Sequence, residues 1–263
     1  KPRYSTADKL HVIGELLFIV ALQTLIAKLT HGAYFWAGIL PLFQIPGLPI
    51  GCSLISTPLA VYGGVVADDR DAGEALRRAA RSLGEGLGAK YVELRDGMRF
   101  GDLPVKDLYV TFRRPIGPDH DANFAAIPRK QRTSIRAGQK RGLTHRVGGA
   151  ELIEAFYPIY SHSVRNLGTP VFPRRLFRHV MEEHPGESDI LLVETDGRIV
   201  AAVLTFYDGD QALPYYAGTL RGAHRYSASD YMYWGLMRHA ADRGCRVFDF
   251  GRSKRDTGAY HYK

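Results

Sequence analysis

The sequence predicts a globular protein with an α+β fold. Strand-like and helix-like segments follow one another in mixed order, which suits an α+β domain. Contents of 45% hydrophobic and 24% charged residues are typical of globular proteins. A length of 263 residues suits one large domain or two of ordinary size. The two cysteines and ten histidines show no metal-ligand spacing, which indicates a reducing compartment and no structural metal.

The first 50 residues contain two apolar stretches. Leu16–Ala27 is shorter than the roughly 20 apolar residues of a membrane span, and it suits a buried helix or the core of a signal peptide. Ala33–Ile50 contains Pro41, Pro46 and Pro49, which favours short strands and turns over a spanning helix. We expect this region to be a buried part of the first domain, and membrane contact is the alternative.

The next segment contains a helix followed by two strands. Asp68–Gly88 has acidic residues in its first turn and three arginines later, as the helix dipole favours. The two strand predictions are Tyr91–Leu94 and Leu108–Phe112. Arg114–Asp121 contains two prolines and a glycine and is a candidate boundary, so we predict domains at residues 1–118 and 119–263.

The second half begins with a helix and continues with strands. An Asp196-Gly197 turn between two apolar runs predicts a hairpin, and Gly244 suits the residue after a helix end. The predicted elements are helix Pro128–Arg141, strands Ile190–Glu194, Ile199–Tyr207 and Leu213–Gly218, helix Ala228–Arg243 and strand Val247–Phe250.

The last sixteen residues, FDFGRSKRDTGAYHYK, form the most informative segment. A strand-like run ends at Phe250, and a glycine and the cations Arg252, Lys254 and Arg255 follow. Cations just beyond a strand end suit an anionic group or a developing oxyanion, so Arg252 and Lys254 are candidate substrate-binding residues. A basic tail in solvent is the alternative.

A basic helix face is the second candidate site. Arg129, Arg132, Arg136 and Lys140 are spaced by three, four and four residues, so they form one stripe on the predicted helix. With a net charge of +8, the stripe predicts a phosphate-binding track for tRNA or for a diphosphate-linked substrate. A solvated face is the alternative, and a non-catalytic polyanion-binding module is the corresponding alternative function.

Two tyrosines form a third candidate site. Tyr215 and Tyr216 lie between Pro214 and Gly218 at the end of a predicted strand. We expect most neighbouring aromatic residues to pack in the core, but these two are candidates for lining an acceptor pocket and hydrogen-bonding a sugar or peptide.

Four segments together resemble the FemAB-type aminoacyltransferases, and most of all the FemAB-like proteins found with exosortase/PEP-CTERM systems. These segments are IPRKQRTSIRAGQKRGL (127–143), LGTPVFP (167–173), LPYYAG (213–218) and the last sixteen residues; the similarity also covers Leu40–Arg95. Residues 1–35 differ from the usual start of the family, and the family normally continues beyond Lys263 with a glycine and aromatic segment. The resemblance therefore suggests an incomplete first domain and a truncated second one.

This resemblance implies two GNAT-like acyltransferase domains in tandem. Characterised members move an amino acid from aminoacyl-tRNA to an amine of a peptidoglycan precursor, without a cofactor or a dedicated nucleophile. In the family, a lysine that follows an aromatic residue stabilises the developing negative charge. That lysine corresponds to Lys263, and Tyr262 stands in place of the usual phenylalanine.

The resemblance also implies the partners and the location. They are aminoacyl-tRNA as donor, a nucleotide- or lipid-linked envelope precursor as acceptor, and the cytoplasm, with peripheral contact at the inner membrane face. An acetyl-CoA-dependent N-acyltransferase acting on an envelope or exopolysaccharide sugar is the alternative. Such enzymes hold the pyrophosphate on a glycine-rich loop, whereas Thr219–Ser229 contains a single glycine.

Overall fold

The computed structural model describes residues 22–31, 33–47, 51–58, 60–96, 103–183 and 185–263. It divides into two compact units, residues 1–106 and residues 107–263, and each contains one β-sheet with at least one helix packed on it. The mixed α and β architecture agrees with the predicted fold class. The division falls earlier than the predicted boundary at 118/119, because the strand Tyr109–Pro115 pairs within the sheet of the second unit.

The first unit has a five-stranded sheet with one long helix. The sheet order is β1-β2-β3-β5, and β4 pairs with β2. Leu76 and Ala80 of the helix form the core together with Leu40 and Leu42 of the sheet, and Ala72 of the helix is also buried. The elements are β1 (Leu22–His31), β2 (Ala33–Pro46), β3 (Cys52–Ile55), β4 (Val66–Ala67), α1 (Arg70–Gly86) and β5 (Ala89–Glu93).

The start of this unit differs from the prediction. Residues 22–27 of the apolar run belong to strand β1, not to a helix, and residues 16–21 lie outside the described residues. β2 is one 14-residue strand instead of several short ones. Pro41 is tolerated because it falls between the segments of β2 that pair with β4 and with β3, where its missing N–H interrupts no ladder on that side. Among the described residues, no helix is both long and apolar enough to cross a membrane.

The second unit has a six-stranded sheet in the order β6-β11-β10-β9-β8-β7. The predicted hairpin is confirmed, and Asp196 and Gly197 of its turn have φ angles of 49° and 69°. The elements are β6 (Tyr109–Pro115), α2 (His120–Ala125), α3 (Arg129–Lys140), β7 (Thr144–Gly148), α4 (Ile153–Asn166), α5 (Arg174–Glu183), β8 (Ser188–Thr195), β9 (Arg198–Asp208), β10 (Gln211–Thr219), α6 (Ala228–Asp242), β11 (Val247–Lys254) and α7 (Gly258–Tyr262).

Two hydrophobic clusters cover this sheet. One joins residues of α3 and α6 to the sheet and contains Ile135, Trp234, Met237 and Phe248. The other joins residues of α4 and α5 to the sheet and contains Phe156, Tyr160 and Phe177. Strands β7 to β10 are antiparallel, whereas β10 and β11 run parallel and pair over only two residue pairs, Gln211 with Val247 and Ala212 with Phe248. The two strands therefore part towards their carboxyl ends.

Candidate active site

A bulge interrupts β11 where the informative C-terminal segment begins. The register with β6 shifts between Asp249 and Arg252, and Gly251 has a φ of 68°. The buried carboxylate of Asp249 accepts hydrogen bonds from Arg113 Nε at 2.8 Å and from the Gly251 amide at 2.7 Å, and these contacts hold the bulge. The sequence predicted that this strand ends at Phe250, and this is wrong. The strand continues to Lys254, because pairing with β6 resumes after the bulge.

Lys263 returns to this bulge from the end of α7. The Nζ group donates a hydrogen bond to the carbonyl of Phe250, and it also lies 3.5 Å and 3.3 Å from the carbonyl oxygens of Gly251 and Arg252. Burial lowers the pKa of Lys263, and the nearby Asp249 carboxylate opposes this shift. The lysine is thus a half-buried, positioned cation.

Two cavities that share Lys263 and Arg114 lie beside this lysine. The smaller, of about 170 Å³, has both charged and aromatic walls; its lining includes Arg114, Gln131, Asp230, Tyr233, Trp234, Phe250, His261, Tyr262 and Lys263. The larger, of about 450 Å³, is lined by Phe112, Arg113, Arg114, Pro115, Ala126, Pro128, Phe250 and Lys263. This neighbourhood is the candidate active site.

Asp230 belongs to this site although no sequence pattern predicted it, and the same holds for Arg114 and Gln131. Asp230 lies in the first turn of α6 and accepts a hydrogen bond from the Tyr262 hydroxyl group. Burial raises the pKa of Asp230, while the Tyr262 hydrogen bond and the charge of Lys130 act in the opposite direction. Burial and the neighbouring Asp230 raise the pKa of Tyr262, and burial raises the pKa of Tyr233 to about 12. The two tyrosines are therefore neutral hydrogen-bonding groups at physiological pH.

The structure brings together only part of the predicted C-terminal set. Tyr262 and Lys263 line the same cavity. Neither Arg252 nor Lys254 is among the described residues that line the two cavities. The guanidinium carbon of Arg252 lies 4.8 Å from the centroid of the Tyr109 ring, and Lys254 is exposed. Substrate binding by these two cations stays a prediction.

Tyr215 and Tyr216 lie within β10 and not at its end. The Tyr216 ring packs against Phe177 with a centroid separation of 5.1 Å and against Tyr160 at 5.8 Å, in the cluster formed with α4 and α5. Burial raises the pKa of Tyr216 above its ordinary range. Tyr215 packs on Phe206 at 5.5 Å. Neither tyrosine is among the lining residues of the two cavities, and their role in acceptor binding stays a prediction.

The basic stripe lies on helix α3, as predicted. Arg129, Arg136 and Lys140 are exposed and Arg132 is half-buried. The Arg136 guanidinium carbon lies 5.1 Å from the centroid of the Phe124 ring. None of these four cations forms an ion pair with an acid among the residues that the structure describes. The helix starts directly after Pro128, which lines both cavities, so the stripe extends along α3 from the edge of the site.

The connection from β10 to α6 does not form a glycine-rich cradle. A 3-10 turn, Ala223–Tyr226, occupies it, with Gly222 and Ser227 in the left-handed region at φ angles of 86° and 59°. No side chain caps the first turn of α6, which contains the carboxylate of Asp230. A carboxylate at this position disfavours a phosphate group at the helix N-terminus.

The comparisons with known proteins agree with this architecture. Residues 129–263 match the family model described as acetyltransferase (GNAT) domain. A comparison with curated proteins finds no match. The crystal structure of FemX aligns with 95% of this chain and 84% of its own, at a TM-score of 0.65 and 14% identity.

Two further solved structures are similar in fold at 12% identity and a TM-score of 0.54. The C-terminal domain of a putative lysylphosphatidylglycerol synthetase from Agrobacterium fabrum aligns with 88% of this chain and 71% of its own. The structure of L-PGS from Bacillus licheniformis aligns with 93% of this chain and 73% of its own.

The resemblance to the FemAB-type, GNAT-like fold is thereby confirmed, whereas an association with exosortase systems stays a prediction. The comparisons favour an enzyme over a non-catalytic polyanion-binding module. With slightly more than half of its length matched by the family model, the chain belongs to the acetyltransferase (GNAT) domain family and is an acyltransferase built from two GNAT-like domains.

Proposed function

We propose that this enzyme transfers an aminoacyl group from aminoacyl-tRNA to an amine of a nucleotide- or lipid-linked cell-envelope precursor. The observation that carries the proposal is the position of Lys263, a half-buried cation held by the β11 bulge at the wall of a cavity. The names of the solved structures similar in fold, FemX and lysylphosphatidylglycerol synthetase, support an envelope-type substrate.

The chemistry needs little from the protein beyond position and charge. The acceptor amine attacks the carbonyl carbon of the ester, and negative charge develops on the carbonyl oxygen. The ester C–O bond then breaks, and the proton that the amine loses on forming the amide goes to the leaving oxygen, which departs as the tRNA hydroxyl group. Lys263 stabilises the developing negative charge, and its longer contacts with the Gly251 and Arg252 carbonyls are the ones that it can exchange for this oxygen. An ester is already activated, so a covalent enzyme intermediate is unnecessary.

The stripe on α3 supports tRNA as the donor. Its four cations start beside the cavity edge and lack ion-pair partners among the described residues, which suits a phosphate backbone that leads its acylated end to Lys263. A lipid-linked acceptor brings the enzyme to the cytoplasmic face of the inner membrane, and an exopolysaccharide precursor is one such acceptor.

The test is a transfer assay with a mixed pool of charged tRNA and cell-envelope precursors, in which mass spectrometry measures the product. We expect Lys263→Ala to reduce the rate by about 10²-fold or more, the effect of removing an oxyanion partner. Lys106→Ala, which removes an exposed lysine of the same charge, is the matched control. An unchanged rate for Lys263→Ala, with transfer measurable in the wild type, means that the assigned site is wrong.

An acetyl-CoA-dependent N-acyltransferase is the second candidate. It is favoured by the parting of β10 and β11 after two residue pairs, because backbone groups along such a gap can pair with an extended acyl-pantetheine arm. The irregular connection before α6 disfavours it. Calorimetry with CoA distinguishes the two, since micromolar binding of CoA supports the second candidate and overturns tRNA as the donor.

A further inference from the structure

The smaller cavity contains one carboxylate among aromatic rings. Asp230 is the single acidic residue among the described residues that line it, and its neighbours in the lining include Tyr233, Trp234 and Phe250. A primary ammonium group is the chemical class that such walls recognise, because the carboxylate forms a charge-assisted hydrogen bond with it and the ring faces attract a cation.

The hydrogen bonds around Asp230 leave capacity for such a ligand. Its side chain accepts from the Tyr262 hydroxyl group and from its own backbone amide, whereas an ionised carboxylate has about four acceptor positions. Lys263 does not occupy the remaining positions, since its ammonium group points to the carbonyls of Phe250, Gly251 and Arg252. Tyr262 joins the two groups, because it donates to Asp230 and precedes Lys263 in the chain.

We propose that Asp230 binds the α-ammonium group of the aminoacyl donor and so selects aminoacyl esters over plain acyl groups. The proposal rests on the proposed function, and it names the donor class. In an aminoacyl ester, the ammonium group is attached to the carbon next to the carbonyl carbon. The cavity wall contains Asp230, which would bind the ammonium group, and Lys263, which would bind the carbonyl oxygen, so one wall recognises both parts of the same small molecule.

The selection works mainly by a penalty against the wrong donor. An acetyl group lacks the ammonium, so its binding would shield the Asp230 carboxylate from water without giving it a partner. Sites built around a polar group of the substrate reject analogues that lack this group, because the buried protein group is then unpaired. The amine of the acceptor carries the same chemistry and is the other possible source of the ammonium group.

The test uses small probes and the fluorescence of Trp234, which lines the cavity. The chain has two tryptophans, so the measurements are made with the full chain carrying Trp36→Phe. The probes are L-alaninamide, which has both groups; propionamide, which lacks the ammonium; and n-propylamine, which lacks the carbonyl. We expect saturable, millimolar binding of L-alaninamide, clearly weaker binding of n-propylamine, and no saturation with propionamide up to about 100 mM.

The variants assign the effect to the carboxylate. Asp230→Asn keeps the shape and removes the charge, and we expect it to weaken L-alaninamide binding at least about 10-fold, the usual worth of a charge-assisted hydrogen bond. Asp230→Glu keeps the charge and should restore part of the affinity. Asp208→Asn makes the same change at an exposed position and should leave binding unchanged, and circular dichroism verifies that each variant is folded.

Several results would overturn the proposal. They are equal binding of propionamide and L-alaninamide, full affinity in Asp230→Asn, and no saturation with L-alaninamide up to about 100 mM. Equal binding of n-propylamine and L-alaninamide assigns the subsite to the acceptor amine and overturns the donor assignment. The titration uses neither tRNA nor an acceptor. It can therefore succeed when the transfer assay fails, and it can fail when the transfer assay succeeds, so failure of one proposal is distinguished from failure of the other.

Discussion

A carboxylate lies at each end of helix α6, and the surroundings of the two carboxylates differ. Asp189 of β8 meets the last turn: its Oδ2 atom accepts from the Tyr207 hydroxyl group at 2.8 Å and lies 2.7 Å from His239 Nε2. Arg243 covers this cluster, with its guanidinium carbon 4.1 Å from the centroid of the Tyr207 ring. Asp230, in the first turn, has one side-chain donor, Tyr262, and lines a cavity.

The difference separates a carboxylate that holds the fold from one that is available to a ligand. Asp189 is buried and fixes α6 to the sheet through groups of the protein itself. Asp230 is half-buried and lines a cavity, so a ligand can reach the acceptor positions that the protein leaves unused. The Oδ1 atom of Asp189 also lacks a hydrogen-bond partner among the described residues, but it is buried and lines neither cavity. Incompletely satisfied polar groups cost stability, and those that a ligand can reach are typical of functional sites.

The largest expected effect comes from removing the Asp189 carboxylate at the last turn of α6. Asp189→Ala leaves Tyr207 and His239 without their shared acceptor. Each unsatisfied buried group costs about 1–3 kcal/mol, so we expect the free energy of unfolding to fall by about 3 kcal/mol. Urea denaturation measures this, with Asp208→Ala at an exposed position as the control. Equal midpoints for the two variants would show that the cluster does not hold the helix.

A second experiment tests whether the basic stripe on α3 contributes to tRNA binding and not to stability. Arg132→Glu together with Arg136→Glu should weaken tRNA binding and reduce the slope of log Kd against log salt by about 1.4–1.8, because two phosphates are then no longer neutralised. The melting temperature should change little, because Arg136 is exposed and the half-buried Arg132 has no hydrogen-bond partner at its Nε atom that the reversal would remove. Exposed arginines of α1 carry the matched pair of reversals, Arg78→Glu and Arg81→Glu. A slope identical to that of the wild type would show the stripe to be a solvated face.

The middle of α6 offers a pH test. His145 lies against this helix, with Nδ1 3.2 Å from the Tyr231 hydroxyl group, and burial, followed by the charges of Arg238 and His239, lowers its pKa. The unfolded chain therefore takes up the proton first, so stability is full above about 6.5 and falls as the pH drops through that value. His145→Gln should flatten this part of the curve, a change on the order of 2 °C in melting temperature. Parallel curves for wild type and variant would contradict the assignment.

The smallest expected effect comes from neutralising Asp230 in the first turn of α6. Because burial raises the pKa of Asp230, the folded protein holds this proton more tightly than the unfolded chain does. Its ionisation therefore opposes folding as the pH rises above the ordinary carboxyl value of about 3.9. Asp230→Asn should be more stable than the wild type at pH 7, by on the order of 0.5 kcal/mol given its partial exposure, and this gain should vanish below about pH 4. Calorimetry at the two pH values measures it, and a loss of stability at pH 7 would refute it.

Local signals in the sequence predicted much of the second unit. The Asp-Gly turn fixes the hairpin of β8 and β9, and Gly244, with a φ of 89°, ends α6 as expected. The first 50 residues were harder, because a short apolar run suits a strand as well as a helix until its partner is known.

The sequence predicted only those residues of the candidate site that belong to a recognisable motif. Tyr262 and Lys263 came from the family resemblance. Asp230 has no such signal, since an acid in the first turn of a helix is the ordinary complement of the helix dipole. Its position beside Tyr262 depends on the packing of α7 against β11, which is a tertiary contact that the local sequence does not encode. Similarly, nothing in the pair Tyr215-Tyr216 distinguishes packing from a pocket wall.

The bulge in β11 changes the phase of the strand. Before it, Phe248 at an even position is buried in the core, and Asp249 is buried as well because its carboxylate holds the bulge. After it, Gly251 and Ser253 at odd positions are buried, while Arg252 is half-buried and Lys254 is exposed. Loss of one residue between Asp249 and Arg252 would restore simple alternation and exchange these faces, placing serine outside and cations inside. The segment therefore tolerates a change of residue more readily than a change of length. The number of residues from Asp249 to Lys263 determines where the Lys263 ammonium group meets the bulge.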